Sequence, residues 1–191
     1  MQPALALIEF DSIAAGVEAG DAMVKKAPVA RVVSGTVHNG KYLVLVAGEV
    51  ADVEESYAAG LAVGASAVLD SVFLPGVHPR VADAVGRQRR AEPVDALGIV
   101  ETRTVAAAIA VADAGIKGAE VSLIEVRLAD GLGGKGLVFF SGLVHDVEAA
   151  VRIGVECVSA APVLVHAVVI PQLHPDMAKN ILSDTRWRAN L

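Results

Sequence analysis

Residues 13–29 of this chain, IAAGVEAGDAMVKKAPV, recur without a gap as residues 105–121, VAAAIAVADAGIKGAEV, at a shift of 92 positions. Before them, ALALIE from residue 4 matches ALGIVE from residue 96. After them, GKYLVLVAGEVADVEE from residue 40 matches GKGLVFFSGLVHDVEA from residue 134, and LPGVHP from residue 74 matches IPQLHP from residue 170. The chain is therefore a tandem of two similar units. We place the first unit at 1–80, a linker at 81–93, the second unit at 94–176 and a tail at 177–191.

Each unit has the same predicted order of secondary structure. A short apolar run is followed by a helix in which apolar residues recur at helical spacing, with Ser12 and Thr104 at the N-cap positions. Two strands joined by a glycine-bearing turn come next. A second helix, for which Asp52 and Asp146 are the predicted N-caps, precedes a closing Val-rich strand. The order β-α-β-β-α-β predicts a ferredoxin-like α+β unit. The predicted strands cover about residues 5–9, 29–37, 42–47 and 68–74, and about residues 97–101, 121–128, 137–141 and 163–170.

Composition excludes several classes of protein. Of the 191 residues, 54% are hydrophobic and only 4% are aromatic, which excludes a disordered chain. No run of about 18 apolar residues is free of charge, and the N-terminus lacks the basic segment of a signal peptide, so we expect no membrane association. A net charge of −6 argues against a nucleic-acid partner. The single cysteine fits a reducing cytoplasm, and a mean hydropathy of +0.55 predicts apolar surface buried against other copies.

The doubled motifs resemble the bacterial microcompartment shell domain. In both units an apolar start is followed by a helix that ends in an Asp-x-x-x-Lys pattern, then a glycine loop, then a Pro-x-x-His end. Two copies in one chain resemble the tandem class of these shell proteins, in the ordinary rather than the permuted strand order. The resemblance implies two ferredoxin-like shell domains that cover nearly the whole chain.

The resemblance also implies a function. Single-unit members of the family form flat hexamers that tile into the shell of a protein-walled organelle, and tandem members form trimers that imitate hexamers around a central pore. We therefore expect a homotrimeric, structural protein without catalytic residues. Its expected partners are other copies of itself, other shell proteins along its edges, and small metabolites at the pore. Its expected location is the shell of a microcompartment in the cytoplasm.

The family's pore loop joins the two middle strands of each unit. Asn39-Gly40 between apolar runs is itself a strong hairpin signal, and glycine lets the backbone approach an axis without a blocking side chain. The predicted pore-lining residues are His38, Asn39, Gly40, Gly131, Leu132, Gly133 and Gly134.

His38 leaves several roles open. Some tandem relatives carry a cysteine in this loop, and three such cysteines hold an iron–sulfur cluster. Histidine stands there in this chain, so we expect no cofactor, because thiolates are the usual cluster ligands. His38 remains a candidate for a polar turn residue, for a pore lining that gates by charge, or for a ligand in a three-histidine metal site.

The resemblance further implies contacts between neighbouring tiles. A lysine at the end of the first helix makes this contact in the family, usually with help from an arginine in the closing motif. This chain has Gly76 and Gln172 instead of that arginine. The lysines at this position are Lys25 and Lys117, and without the resemblance they would be interpreted as solvent-exposed residues at helix ends. The predicted tile-edge residues are Lys25, Lys117, His78 and His174.

Other polar residues have simpler interpretations. Glu9 and Glu101 occupy equivalent positions, so the repeat itself explains the pair. We expect each to make a structural hydrogen bond or a helix cap rather than to perform acid–base chemistry. Cys157 aligns with Val63, which predicts a small apolar core residue.

Two charged segments lie outside the repeats. The basic run Arg87, Arg89 and Arg90 reads as a solvated linker or, alternatively, as a contact for an anionic partner. Trp187 in the tail either docks on a neighbour or belongs to a mobile terminus.

A second hypothesis comes from another class of protein. Ferredoxin-like units also build trimeric regulators that bind small ligands, and a fold alone does not separate the two functions. A regulator would hold a specific, saturable ligand in a cleft between units, whereas a shell tile would assemble into flat layers.

Overall fold

The computed structural model describes residues 3–86, 95–183 and 186. Two units with the same element order follow each other along the chain, which confirms the predicted β-α-β-β-α-β plan. The first consists of β1 (Ala4–Phe10), α1 (Ile13–Lys26), β2 (Arg31–Val37), β3 (Lys41–Gly48), α2 (Val50–Gly64) and β4 (Val68–Leu74), followed by α3 (Pro79–Val85). The second consists of β5 (Ala96–Thr102), α4 (Val105–Gly118), β6 (Ser122–Leu128), β7 (Gly136–Gly142), α5 (Val144–Cys157) and β8 (Leu164–Ile170), followed by α6 (Pro175–Ser183).

Each unit has one antiparallel sheet of four strands. The strand orders are β2-β3-β1-β4 and β6-β7-β5-β8, so the first strand of each unit lies in the middle and pairs with the third and the fourth. The two sheets have equivalent registers in these pairings: Glu9 lies opposite Asp70, and Glu101 lies opposite His166. Both sheets therefore have the ordinary strand order, without a permutation, as predicted.

One hydrophobic cluster spans both units, and each unit also has a smaller cluster of its own. In β1, Ala6, Ile8 and Phe10 pack with α1 and α2 on one face of the sheet. Leu5 and Leu7 point to the other face, because side chains alternate along a strand. They belong to a cluster that continues through β4 and α3 into α4 of the second unit. The strand is consequently buried on both faces, which fits a sequence that is apolar except for Glu9.

The start of each second helix differs from the prediction. Asp52 and Asp146 are not N-caps: α2 and α5 begin at Val50 and Val144, and their N-cap residues make no side-chain capping bond. Both aspartates lie instead in the first turn of their helices. A carboxylate there is favourable because it faces the positive end of the helix dipole. The predicted caps Ser12 and Thr104 are confirmed, since each side chain accepts a hydrogen bond from a backbone N–H three residues on.

Two helices were not predicted. α3 begins in the region assigned to the end of the first unit and extends into the predicted linker, and α6 extends into the predicted tail. Both begin at a proline that follows a histidine, and Nδ1 of His78 and of His174 accepts the backbone N–H two residues on. Proline is common at the first position of a helix, so the two His-Pro pairs are the sequence signal from which both helices could have been predicted.

Two predictions concern residues that the structure does not describe. The basic run at Arg87, Arg89 and Arg90 and the tail residue Trp187 lie outside the described residues. Among the residues that are described, no helix is long and apolar enough to cross a membrane.

Candidate functional site

The first candidate site element is the turn between β2 and β3. His38, Asn39 and Gly40 connect the strands, and Asn39 and Gly40 both have positive φ, of 67° and 70°. Two consecutive residues in this conformation match the right-handed twist of the flanking strands. Asn and Gly are the residues that adopt it at least cost, so the sequence signal and the geometry agree.

The equivalent turn between β6 and β7 is longer. Its backbone enters the left-handed region at Ala129, Gly131, Gly133 and Gly134. The loop is closed by Ala129, whose N–H donates to the carbonyl of Lys135 at 2.9 Å. The loop contains an insertion of two residues, because equivalent positions are 92 residues apart before it and 94 apart after it. A second insertion of two residues lies between α5 and β8, after which the separation is 96.

The two turns contact each other although more than 90 residues separate them. The Asn39 side-chain amide donates to the Gly133 carbonyl at 2.7 Å, and the Gly131 N–H donates to Nδ1 of His38 at 3.3 Å. Lys41, the first residue of β3, donates to the Gly134 carbonyl at 3.4 Å. The structure therefore brings the predicted residues of both turns together at one place, which we call the paired hairpins (residues 38–40 and 129–134).

A buried carboxylate lies beside the paired hairpins. Glu9 is 0% exposed and accepts from Lys41 Nζ at 2.6 Å with one oxygen and from the Val105 backbone N–H at 2.8 Å with the other. Val105 is the first residue of α4, so Glu9 of the first unit caps a helix of the second, where the helix dipole favours an anion. This confirms a structural role for Glu9. Lys41 was missed, although its position directly after the turn repeats as Lys135.

The seam between the two units contains further cross-contacts. Asp70 accepts a short hydrogen bond from the Thr104 hydroxyl. The Asp113 carboxylate accepts from the His78 backbone N–H at 2.7 Å and from Lys117 Nζ at 2.5 Å. α4 packs on β4 and β1, and α3 packs on β6, so the seam is both apolar and hydrogen-bonded.

Comparisons with known proteins agree with this doubled architecture. The family model described as the BMC domain matches residues 4–77 and again residues 96–173. The chain belongs to the BMC domain family. It is 38% identical over 182 residues to the bacterial microcompartment shell protein PduT of Citrobacter freundii, covering 95% of this chain and 99% of that protein.

Solved structures of BMC proteins are similar to this chain. A microcompartment protein from Desulfitobacterium hafniense is 41% identical with a TM-score of 0.81, over 94% of this chain and 99% of that chain. A fused permuted hexameric shell protein of the RMM microcompartment is 22% identical with a TM-score of 0.57, over 83% and 84% of the two chains, and shows the fold alone. The predicted resemblance to tandem shell proteins is confirmed.

The donors at the paired hairpins do not fit the iron–sulfur cluster that some tandem BMC proteins hold. Neither turn contains a cysteine, and the chain's single Cys157 ends α5. Nδ1 of His38 accepts the Gly131 N–H at 3.3 Å and lies 3.9 Å from the Asp130 carboxylate, so this nitrogen already has neighbours within the chain. Within the described part of one chain, no three His, Cys, Asp or Glu residues cluster as a metal site.

The predicted tile-edge residues lie at the seam or at its equivalent positions. Lys117 donates to the Gly76 carbonyl at 2.6 Å across the seam, and remains partly exposed. Lys25 at the end of α1 pairs with Asp21 on its own helix and is otherwise exposed. His78 and His174 cap α3 and α6. Their contacts with neighbouring tiles stay predictions.

Cys157 does not lie in the core, contrary to the prediction. Its side chain reaches the surface at the end of α5 and donates to the Gly154 carbonyl, and the aligned Val63 is exposed as well. Partial burial raises the pKa of the Cys157 thiol, and the negative charge of Asp113 raises it further.

A concave pocket of about 600 Å³ lies between the units on the side of β2 and β6. Its walls are mainly apolar, with Leu7 and Leu45 from the first unit and Leu128 from the second. The charged residues in its lining are Glu125, Arg127, Asp130 and Arg186. This is the cleft in which a ligand-binding regulator would hold its ligand.

Proposed function

We propose that this protein is a structural tile in the shell of a bacterial microcompartment in the cytoplasm, and that it assembles as a homotrimer with a central pore. The observation that carries the proposal is the pair of BMC domains that share a hydrophobic cluster and present their glycine turns side by side. Six such units in a ring require three copies of this chain. Its partners are then further copies of itself and other shell proteins, with no catalysis of its own.

The paired hairpins are proposed to line the pore. Three copies would alternate short and long turns around the threefold axis, with His38, Leu132 and the backbone of the glycines nearest the opening. Lys41 and Lys135 contribute little net charge there, because each is paired with a glutamate at 2.6 Å. We therefore propose a pore that contacts small polar metabolites through backbone groups and the His38 ring.

We propose that the pore works without an iron–sulfur cluster, because the donor set supports none. Elemental analysis of freshly purified protein, beside a His38→Ala variant, tests both this statement and the three-histidine alternative. Equal and negligible metal content in both is expected. Metal that is bound by the wild-type protein and lost in His38→Ala would support the three-histidine site instead.

Sedimentation of the purified protein tests the assembly. A trimer of the 19.6 kDa chain has a mass of about 59 kDa, and flat layers sediment faster. A well-behaved monomer at micromolar concentration contradicts the tile. Saturable binding of one small molecule in the pocket between the units, without assembly, would favour the regulator instead.

Cross-linking tests the position of the hairpins. In a Cys157→Ser background, His38→Cys should give a covalent trimer with a trifunctional maleimide, because three copies would lie around one axis. Glu54→Cys, on an exposed position of α2, is the matched control and should not. If the protein sediments as a trimer but His38→Cys gives no more cross-linked trimer than Glu54→Cys, the hairpins lie away from the axis.

A further inference from the structure

The two units contain the same glutamate–lysine pair, but only one of the pairs is complete. Glu9 bonds Lys41 and, across the seam, the N-terminus of α4. Glu101 bonds Lys135 at 2.6 Å in the same way, yet its side chain is 29% exposed, and its second oxygen has no partner among the described residues. The repeat thus leaves one carboxylate without the helix that its equivalent caps.

The helix that would complete the second pair is present at the other end of the molecule. α1 is equivalent to α4 at a shift of 92, and Ile13 corresponds to Val105. Val105 and Ile109 are 0% exposed under the first unit, whereas the equivalent Ile13 and Val17 are 42% and 50% exposed. An apolar stripe that one unit buries is therefore open on the other.

The opposite faces show the same relation. Val81 of α3 is 0% exposed against the second unit, whereas the equivalent Met177 of α6 is 52% exposed. Val72 of β4 is buried, and the equivalent Val168 of β8 is exposed. The chain therefore has two exposed faces. One consists of α1 and β2, which are equivalent to α4 and β6; the other consists of β5, β8 and α6, which are equivalent to β1, β4 and α3. Within the chain, α4 and β6 pack against β1, β4 and α3 at the internal seam.

We propose that a second copy of this chain binds with the N-terminus of its α1 on Glu101. In this arrangement the Ile13 backbone N–H of one copy donates to the free oxygen of Glu101 in the next, and Lys135 holds the other oxygen. The apolar stripe of α1 covers β8 and α6, as α4 covers β4 and α3 within the chain. This inference rests on the proposed trimer and names the contact that builds it.

The seam follows from physical principles rather than from symmetry alone. A carboxylate next to a helix N-terminus is favoured by the aligned peptide dipoles, and it satisfies an N–H that has no partner within the helix. A heterologous contact of this kind joins unlike faces, so each copy offers one of each, and a closed ring leaves neither exposed.

Three variants test the contact without changing the fold. Glu101→Gln removes the charge. Ile13→Pro removes only the backbone donor and part of the side chain: it is the first residue of α1, where proline is tolerated, and Ser12 already has the extended backbone that proline requires before it (φ −118°, ψ 121°). Ile13→Ala keeps the donor and shortens the side chain. Glu148→Gln, exposed on α5, is the charge-matched control.

Dissociation of the assembly is measured by sedimentation over a dilution series, with circular dichroism as the check on folding. We expect Glu101→Gln and Ile13→Pro each to raise the dissociation constant at least tenfold, and Ile13→Pro to exceed Ile13→Ala. The double variant should dissociate no more readily than Ile13→Pro alone, because both changes weaken the same interaction between Glu101 and the Ile13 N–H. A trimer that Glu101→Gln leaves unchanged overturns this inference while the proposed tile stands. A wild-type protein that stays monomeric overturns the tile itself.

Discussion

Replacing Glu9 by Gln perturbs the bond on which the internal seam depends. The carboxylate is fully buried and bonds Lys41 at 2.6 Å and the Val105 N–H at 2.8 Å. Glutamine keeps one acceptor oxygen and loses the charge, so the largely buried Lys41 retains its charge without a counter-charge. Removing one partner of a buried ion pair usually costs 3–5 kcal/mol, and we expect about 3 kcal/mol here, because Lys41 also donates to the Gly134 carbonyl.

The assay is thermal unfolding followed by circular dichroism at one fixed protein concentration, since assembly makes Tm depend on concentration. In a chain of this length about 3 kcal/mol corresponds to a Tm lowered by roughly 6–12 °C. The matched control is Glu55→Gln, whose partner Lys26 is 3.1 Å away at the surface, and which should cost less than about 0.5 kcal/mol. Adding Lys41→Met to Glu9→Gln should recover part of the loss, because no unpaired charge remains. A loss in Glu9→Gln no larger than in the control would refute this account of the seam.

Two further predictions concern packing and pH. Gly136→Ala should lower the free energy of unfolding by about 2–3 kcal/mol, because the added Cβ would lie 2.3 Å from the Ala108 Cβ; Gly35→Ala, with open space around it, should be neutral or slightly stabilising in the same denaturant titration. Cys157 should react with iodoacetamide at pH 8 more slowly than a free cysteine, and its rate should rise at a higher pH, because burial and Asp113 raise its pKa and so reduce the thiolate. Equal rates for the folded and the denatured protein would contradict this.

The repeat explains why so much of the fold was predictable. Each element appeared twice, so a weak signal in one unit was supported by its equivalent in the other. Ser12 and Thr104 confirm each other as caps, and Asn39-Gly40 specified its hairpin because its backbone conformation excludes most other residues. Local chemistry of this kind needs no knowledge of distant contacts.

The remaining features depend on contacts between distant residues. The cap that Glu9 forms on α4 could not be predicted without knowing which faces of the two units meet, because 96 residues separate Glu9 from Val105. Cys157 was wrongly predicted to be buried, because its alignment with Val63 shows that the two positions are equivalent but not how buried they are. Both are exposed. The second helices begin two residues before their aspartates, because the extended N-cap residues follow the preceding strands almost without a loop.

Fusion lets the internal seam differ from the proposed seam between copies, and one of the differences changes a hydrogen-bonding residue. Glutamate stands at both Glu9 and Glu101, and lysine at both Lys41 and Lys135, so the internal seam and the proposed seam between copies have the same ion pair. Asp70, however, which bonds Thr104 inside the chain, is replaced by His166 at the equivalent position of β8. A carboxylate accepts two hydrogen bonds where an imidazole offers one donor and one acceptor, so the two seams present different partners to the cap hydroxyl. Specificity is a difference between competing contacts, and unequal seams make each half prefer its own neighbour. In the proposed trimer the covalent link between the units already fixes their alternation around the ring, so the difference between Asp70 and His166 distinguishes the contact within a chain from the contact between chains.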